Sequence, residues 1–295
     1  MSTNGIQSNA VLVDLNISAW TGRKLDKKVS GEIDISKNTK TKAGNYNKHL
    51  LAGTAKLDEV SKIVSAVRVW HYEQTLPWSD SGSRLLPMKN FFEYKQSLSK
   101  FEQQFHASVS ELIAEYPSLV SAAAFQLGAL FNRADYPEAE QLGDKFRFGY
   151  VFMPVPTAND FRIETTDAAL IELQEQANDH VNKRMEDAMK DIWTRLHDCL
   201  SHMSDKLADA AVPRTRKDGS EARTQVFRDS LVNNAVELCG LLTRLNVGND
   251  ANLEQARQKL EKAIAGVTPD RLREDEAKRE AVKAEVDAIL KAFGV

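Results

Sequence analysis

The feature that most constrains this fold is an uninterrupted apolar stripe in the second half of the chain. Apolar residues recur at steps of three or four from Leu170 to Ala210, and no glycine or proline interrupts the pattern before Pro213. This spacing predicts a helix of about 45 residues, or about 65 Å in length at about 1.5 Å per residue. Because one face of so long a helix cannot remain exposed, we expect the apolar stripe to pack against another helix or another chain.

Helical periodicity continues beyond this stripe. The basic, glycine-containing segment PRTRKDGSEAR at 213–223 predicts a turn, and apolar residues from Phe227 to Leu245 predict a helix that runs back. Two shorter helices follow, and the second, from Thr268 to Phe293, starts with threonine as its N-cap and proline at its first position. The C-terminal half therefore predicts a long antiparallel helical hairpin with two shorter helices.

The first half mixes strands with helices. Alternating apolar residues predict strands at 11–17 and 146–153. Helical spacing predicts a helix within 48–73 and another that starts near Phe91 and is ended by Pro117. The segment after that proline is almost entirely apolar, which predicts a short helix buried on all sides. We therefore predict a mainly α fold with a small β-sheet, of the α+β class.

Near residues 157 to 165 the sequence changes from mixed strand and helix patterns to unbroken helical periodicity, which predicts a boundary between two domains. Residues 1–160 are expected to form an α+β domain that contains the small sheet. Residues 161–295 are expected to form a helical hairpin or bundle domain.

Length and composition limit the class of protein. The chain has 295 residues and 42% hydrophobic content, enough for one large core or two moderate ones, and its net charge of -3 indicates no particular partner. No run approaches the about 18 apolar residues of a membrane helix, and the first ten residues lack the features of a secretory signal. Cys199 and Cys239 occupy apolar helical positions, so we expect reduced core thiols in a cytoplasmic protein.

Charge is distributed unevenly along the chain although its sum is small. Residues 1–56 contain nine Lys and Arg against four Asp and Glu, whereas residues 164–211 contain eleven acidic against five basic residues. Basic patches with aromatic residues are typical of nucleic-acid interfaces, but no specific DNA- or RNA-binding signature accompanies these patches. The candidate nucleic-acid-binding residues are Trp20, Arg23, Lys24, Lys27, Lys28, Lys42, Tyr46, Lys48, Arg214, Arg216 and Lys217.

The segment HYEQTLPWSDSGSRLLPMKNFFEY at 71–94 concentrates aromatic, charged and turn-forming residues. One interpretation is an active-site loop of a hydrolase. In that case His71, Glu73 and Asp80 would supply acid-base chemistry, and Arg84 would bind an anion. This interpretation requires the four side chains to converge in one pocket.

The interpretation that we favour for the same segment is structural or docking. Leu76, Pro77 and Trp78 have the character of a hydrophobic clasp between helices, framed by polar neighbours. Residues of this segment could also contact a protein partner. The candidate partner-docking residues are Trp70, His71, Trp78, Arg84 and Phe91.

Four metal-capable side chains lie close together in LHDCLSHMSD, namely His197, Cys199, His202 and Asp205. On a helix the two histidines point about 140° apart, and no other segment offers the further ligand that a zinc site needs. We predict neither a metal nor a cofactor. The chain also lacks a glycine-rich phosphate loop, a G-x-S-x-G elbow and an H-E-x-x-H motif, which favours a function without catalysis.

Four stretches resemble a known family. ISAWTGRKLDKKVS, AGNYNKHLL, HYEQTLPWSDSGSRLLP and NFFEYK resemble a family of helix-rich proteins of unknown function from tailed-phage and prophage genomes, over about residues 11 to 165. Members of that family or its relatives are often encoded near a MoxR-like AAA+ ATPase and a von Willebrand A-type protein resembling a cobaltochelatase subunit. The resemblance implies a phage accessory protein, such as an adaptor for that machine, and it carries over no catalytic residues.

Two functions follow from these observations. The first is a non-enzymatic adaptor in the host cytoplasm that uses its helical hairpin, as in a coiled coil, to bind a protein partner such as an AAA+ ATPase or a second copy of itself. The alternative is a nucleic-acid-binding accessory factor in phage DNA metabolism. Neither function involves a membrane.

Overall fold

The computed structural model describes residues 9–79, 82–156, 167–209, 214–215, 221–222 and 228–294. Its strands are β1 (Ala10–Ser18), β2 (Arg23–Leu25), β3 (Asn47–His49), β4 (Leu76–Pro77), β5 (Arg84–Pro87), β6 (Arg147–Pro154), β7 (Arg214–Thr215) and β8 (Glu221–Ala222). Its α-helices are α1 (Lys27–Ser36), α2 (Lys56–Gln74), α3 (Phe91–Leu127), α4 (Ala139–Leu142), α5 (Asp167–Asp209), α6 (Ser230–Leu245), α7 (Ala251–Ile264), α8 (Pro269–Glu274) and α9 (Glu276–Phe293). The prediction of a mainly α fold with a small sheet is confirmed.

The chain forms two compact units whose segments alternate along the sequence. The first unit comprises the described parts of Met1–Asp14, Glu73–Phe92 and Phe152–Val295. The second unit comprises Leu15–Tyr72 and Glu93–Val151. The domain boundary predicted at 157 to 165 lies outside the described residues.

The main sheet has four strands in the order β4-β5-β1-β6. β1 pairs antiparallel with β5, so that Ala10 lies opposite Pro87 and Val13 opposite Arg84, and β4 pairs antiparallel with β5. β1 and β6 correspond to the two strands predicted from alternating apolar residues. Both predictions are confirmed. They succeeded because an alternating pattern over seven or more residues is specific for a strand.

Helix α3 continues through Pro117, so the prediction that this residue ends the helix was wrong. Pro117 is exposed, whereas Tyr116 and Val120 on either side of it are buried. Its missing amide therefore removes one hydrogen bond on the solvent side, and the packed face holds the helix together. The segment after Pro117 is the amphipathic end of α3, with Phe125 92% exposed, which corrects the prediction of a helix buried on all sides.

Helix α2 is shorter than the predicted 48–73 segment at its start, because β3 occupies the first two of those residues and pairs with β2. A turn then leads into the helix, and Gly53 in this turn has a φ of 80° that other residues adopt only with strain. α2 ends at Gln74, close to the end predicted from Pro77. Leu57, Val60, Val64 and Val67 form its buried face.

Helix α5 has 43 residues, which confirms the predicted long helix. From Val181 to Leu207 its apolar stripe is buried against α6, α9 and β4 within the first unit. The stripe is therefore covered by its own chain along this length. The sequence pattern alone showed a hairpin, and α7 and α9 complete it to a bundle. The binding of a protein partner by the hairpin stays a prediction. At the hairpin turn β7 pairs antiparallel with β8.

The C-terminal helices begin where the sequence provides caps. The Asp250 carboxylate accepts hydrogen bonds from the amides of Asn252 and Leu253 and so caps α7. Thr268 caps α8 as predicted, but the helix expected to continue to Phe293 breaks at Asp275, because that residue adopts an extended conformation and caps α9. Among the described residues, no helix is long and apolar enough to cross a membrane.

Candidate functional site

Two of the predicted docking residues make packing contacts within the second unit. Trp70 stacks on Tyr94 with ring centroids 4.7 Å apart and also contacts Phe101. His71 is buried, and its Nδ1 lies 2.7 Å from the Tyr94 hydroxyl. These aromatic side chains join α2 to α3 and so stabilise this unit, and their role in partner docking stays a prediction.

The remaining docking candidates are held in the first unit. Trp78 is only 7% exposed and belongs to the apolar cluster of the helix bundle. The Arg84 guanidinium donates to the hydroxyl of Thr75 at 2.7 Å and to its carbonyl at 3.0 Å. Phe91 contacts Phe152 with ring centroids 5.0 Å apart. Each of these side chains therefore makes contacts inside the fold, and the role of Trp78, Arg84 and Phe91 in partner docking stays a prediction.

Polar contacts fix the segment that contains these residues. Arg195 of α5 donates to the carbonyls of Glu73 and Thr75 at 2.7 and 2.8 Å, and the buried Asn90 side chain donates to Gln74. The described part of this segment therefore has the geometry of a structural clasp. Asp80, which the hydrolase interpretation also requires, lies outside the described residues.

The cluster of metal-capable residues on α5 does not form a site. His197 contacts Asp198 and Ser201, each at 3.3 Å, and no group of three or more ligands that could hold a metal occurs among the described residues. Burial raises the pKa of the Cys199 thiol to about 11, and burial likewise raises the pKa of Cys239 to about 11. Both cysteines are free. Cys239 is buried in the apolar cluster of the first unit, and the half-buried Cys199 packs against that cluster.

Lys48 is the one predicted nucleic-acid-binding lysine that the described structure buries, with 6% of its residue surface exposed. Its ammonium lies 2.7 Å from the Asp135 carboxylate and 3.4 Å from that of Asp26, and it donates to the Leu130 carbonyl at 2.8 Å. The hydrogen bond with Asp135 raises the pKa of Lys48. Lys48 is therefore a structural lysine, which corrects its assignment to an accessible basic patch.

The other basic residues around α1 are exposed, and we call them the basic surface. Of the three acidic residues in this stretch, Asp26 caps α1 and contacts Lys48, and the Asp34 carboxylate accepts from the Ala43 amide at 3.2 Å. Glu32 approaches Lys28 at 4.0 Å. The basic surface is accordingly strongly positive, and its members are Arg23, Lys24, Lys27, Lys28, Lys37, Lys40 and Lys42.

The loop that carries part of this basic surface is tied to α1 by its backbone. The amide of Tyr46 donates to the Ser30 hydroxyl at 2.9 Å, and its carbonyl accepts from the Asp26 amide at the same distance. The Tyr46 side chain is half-buried. Lys37 and Lys40 were not among the predicted residues, although both lie in the same lysine-rich stretch of the sequence.

A groove of about 660 Å³ lies beside the basic surface in the second unit. Its walls come from the end of β1, the β2–β3 ribbon and the first half of α2. The charged and aromatic residues that line it are Trp20, Arg23, His49, Asp58 and Arg68. We call it the Trp20 groove.

One tight approach and two hydrogen bonds fix the backbone around the Trp20 groove. Gly22 has a φ of 60°, and a Cβ at this position would lie 2.5 Å from Leu57 Cδ2, so another residue here would be strained and would displace the Leu57 side chain. The Leu50 amide donates to the Gly22 carbonyl at 2.7 Å. Arg68 donates from Nη2 to the Ile17 carbonyl at 2.8 Å. The groove is therefore built on backbone that is held in place without a ligand.

Trp20 is half-buried and meets Tyr116 of α3 in an edge-to-face contact, with ring centroids 6.0 Å apart and planes at 78°. Burial raises the pKa of Tyr116 to about 12, and its hydroxyl donates to the Pro137 carbonyl at 2.9 Å. Trp20 is thus supported from α3 while it lines the groove.

His49 and Arg68 were not predicted as site residues. His49 directly follows Lys48, but a three-residue strand gives no periodic signal that would show which face it occupies. Of the predicted residues that the structure describes, Trp20 and Arg23 line this groove.

The predicted basic residues of the hairpin turn are described only in part. The backbone of Arg214 belongs to β7, whereas Arg216 and Lys217 lie outside the described residues.

No protein family, curated protein or solved structure matches this chain. The resemblance to a phage family therefore stays a prediction.

Proposed function

We propose that this protein is a non-enzymatic accessory factor that binds nucleic acid through its basic surface. The observation that carries this proposal is the set of seven exposed basic side chains between Gly22 and Lys48, where the three acidic residues are largely engaged with the protein itself. An array of this kind attracts the phosphate backbone without reading base sequence. The absence of a sequence-specific motif is consistent with that mode of binding.

The number of exposed charges sets the expected salt dependence. Lys28 is near Glu32, so at most about six side chains are available to neutralise phosphates. For a single strand, the logarithm of the binding constant would then decrease linearly with the logarithm of salt concentration. The slope would be no steeper than about -4. A weaker slope would indicate that fewer side chains touch the backbone.

The resemblance to phage proteins supports a setting for this activity. We infer that the nucleic acid is phage DNA or its processing intermediates in the host cytoplasm. Two free cysteines, of which one is buried and one half-buried, are compatible with that reducing compartment.

A charge-removal experiment tests the proposal. Fluorescence anisotropy would measure binding of a labelled oligonucleotide over a range of salt concentrations to the natural protein and to the triple variant Lys37→Gln, Lys40→Gln, Lys42→Gln. We expect the salt slope of the triple variant to be smaller in magnitude by about 2, because about three phosphate contacts are lost. All three side chains are exposed, so the fold should be unaffected.

The matched control removes three exposed lysines elsewhere in the second unit, in the variant Lys62→Gln, Lys95→Gln, Lys100→Gln. Its net charge equals that of the first variant, so a general charge effect would weaken both equally. We expect the control to keep the slope of the natural protein. Equal slopes for the two variants, or no salt-dependent binding by the natural protein, would contradict the proposal.

A second candidate function is protein-protein interaction through the start of α5. From Ala169 to His180 this helix has no buried side chain, and Ile171 is 55% exposed, although Leu170 and Leu173 continue the apolar pattern. This stretch could contact a second copy of the chain or a protein partner such as an AAA+ ATPase. Light scattering of the natural protein and of Leu173→Glu would test self-association, since only a dimer built here would dissociate in the variant.

A further inference from the structure

We propose that the Trp20 groove binds one unpaired nucleotide, with the base stacked on Trp20 and the phosphate held by Arg23, His49 and Arg68. This inference rests on the proposed function and adds to it a preference for single-stranded nucleic acid. The chemistry recognised is that of a nucleoside phosphate, either within a strand or as a free nucleotide.

The size and position of the groove suit this ligand. Its volume of about 660 Å³ falls within the range of small-ligand sites, which is about 300–1,000 Å³. Arg23 belongs both to the groove and to the basic surface. A nucleic-acid strand whose phosphates lie along the basic surface could therefore place one of its nucleotides in the groove, because the groove and the basic surface adjoin at Arg23.

The basic side chains of the groove are available to a phosphate. Arg23 and His49 lie directly opposite each other on the β2–β3 ribbon, and cross-strand partners of this kind project from the same face. In the part of the chain that the structure describes, neither side chain forms an ion pair or a hydrogen bond. Arg68 uses one nitrogen to hold the Ile17 carbonyl, which leaves further N–H donors on its guanidinium.

The other groups of the groove suit a nucleoside. Asp58, in the first turn of α2, provides an acceptor for an exocyclic amino group of a base. Ser61 and Ser65 offer hydroxyl groups along the same helix. Three basic side chains against one acidic side chain favour a ligand that carries negative charge.

Trp20 is the residue that would distinguish single strands from duplexes. An indole stacks on a base only when that base has left its duplex, so an aromatic side chain in a groove selects unpaired nucleotides. The contact with Tyr116 and the tight turn at Gly22 hold the ring and the adjoining backbone in place before the ligand arrives. Such preorganisation reduces the entropy lost on binding.

The experiment compares one mixed-sequence strand with the duplex that it forms with its complement, using the full chain and the variants Trp20→Leu and His49→Gln. For Trp20→Leu we expect about tenfold weaker binding of the strand, the equivalent of about 1.4 kcal/mol, and unchanged binding of the duplex. His49 is exposed, so His49→Gln keeps the test valid if Trp20→Leu does not fold. It should weaken strand binding by about threefold without changing duplex binding.

Calorimetric titration with dAMP separates the two sources of ligand. Binding of dAMP that disappears in Trp20→Leu supports the groove, and competition between dAMP and the strand shows that both use it. If folded Trp20→Leu and His49→Gln keep the natural ratio of strand to duplex affinity and the same affinity for dAMP, the groove inference is overturned while the proposed function stands. If dAMP binds through Trp20 but neither oligonucleotide binds, the groove inference holds for free nucleotides and the proposed function fails.

Discussion

The substitution Leu196→Ala tests whether the apolar stripe of α5 is covered by its own chain. Leu196 has no exposed surface and lies in the apolar cluster that joins α5 to α6, α7 and α9. Removing three buried carbon atoms from such a position costs transfer free energy and leaves a cavity, which together reduce the free energy of unfolding by about 3 kcal/mol. For a protein of this size we expect the unfolding temperature to fall by about 6–12 °C.

The measurement is urea and thermal unfolding followed by circular dichroism at several protein concentrations. An intramolecular core predicts the same destabilisation at every concentration, whereas a stripe shared between two chains predicts a midpoint that rises with concentration. Ile171→Ala is the matched control, since Ile171 lies on the same helix but is 55% exposed. Its effect should remain within about 0.5 kcal/mol.

Two results would refute this reasoning. If Leu196→Ala and Ile171→Ala had equal effects, Leu196 would not lie in a packed core. If the midpoint of the natural protein increased with concentration and Leu196→Ala abolished that increase, the apolar stripe would be an interface between chains.

Three further predictions concern charges and thiols. The pKa of Glu254 is lowered to about 2, chiefly by its hydrogen bond with Arg257. The ionised pair therefore stabilises the fold above the ordinary pKa of 4.5, and this stabilisation is lost as pH falls towards 2. In acid unfolding, the free energy of unfolding of Glu254→Gln should vary less with pH over that interval than that of the natural protein. Burial raises the pKa values of Cys199 and Cys239. We therefore expect both thiols to react slowly with a thiol reagent at neutral pH and rapidly in urea. Fast reaction of the native protein would contradict this expectation. Lys48→Met should lower the midpoint temperature of unfolding, because two carboxylates lose their partner. Thermal denaturation would measure this change, with Lys62→Met as the control at an exposed lysine.

Long, regular elements of this fold could be predicted from the sequence, and short or irregular ones could not. The helical period of α5 persists from Leu170 to Leu207, and alternating apolar residues mark 11–17 within β1, so chance agreement is improbable. Strands β2 and β3 have three residues each, too few for a period, and their pairing depends on contacts between distant segments. Pro117 misled the prediction because its effect depends on which face of the helix it occupies.

The candidate site shows the same limit. Trp20 and Arg23 were identified from composition, but the groove that unites them with His49 and Arg68 requires the fold. Lys48 lies in the same basic stretch as the exposed lysines, and nothing in the sequence shows that Asp135, a residue 87 positions later in the chain, pairs with it. Charge clusters therefore indicate a region, and burial decides which members face solvent.

The alternation of the two units along the chain has a consequence for biosynthesis. The polypeptide passes from one unit to the other four times, and the first unit needs segments from both ends of the chain. Leu76, Trp78 and Leu85 emerge from the ribosome long before the helices that cover them. A fragment that stops at residue 160 would carry these apolar side chains without their cover, and it should associate with chaperones or aggregate where the full-length product folds.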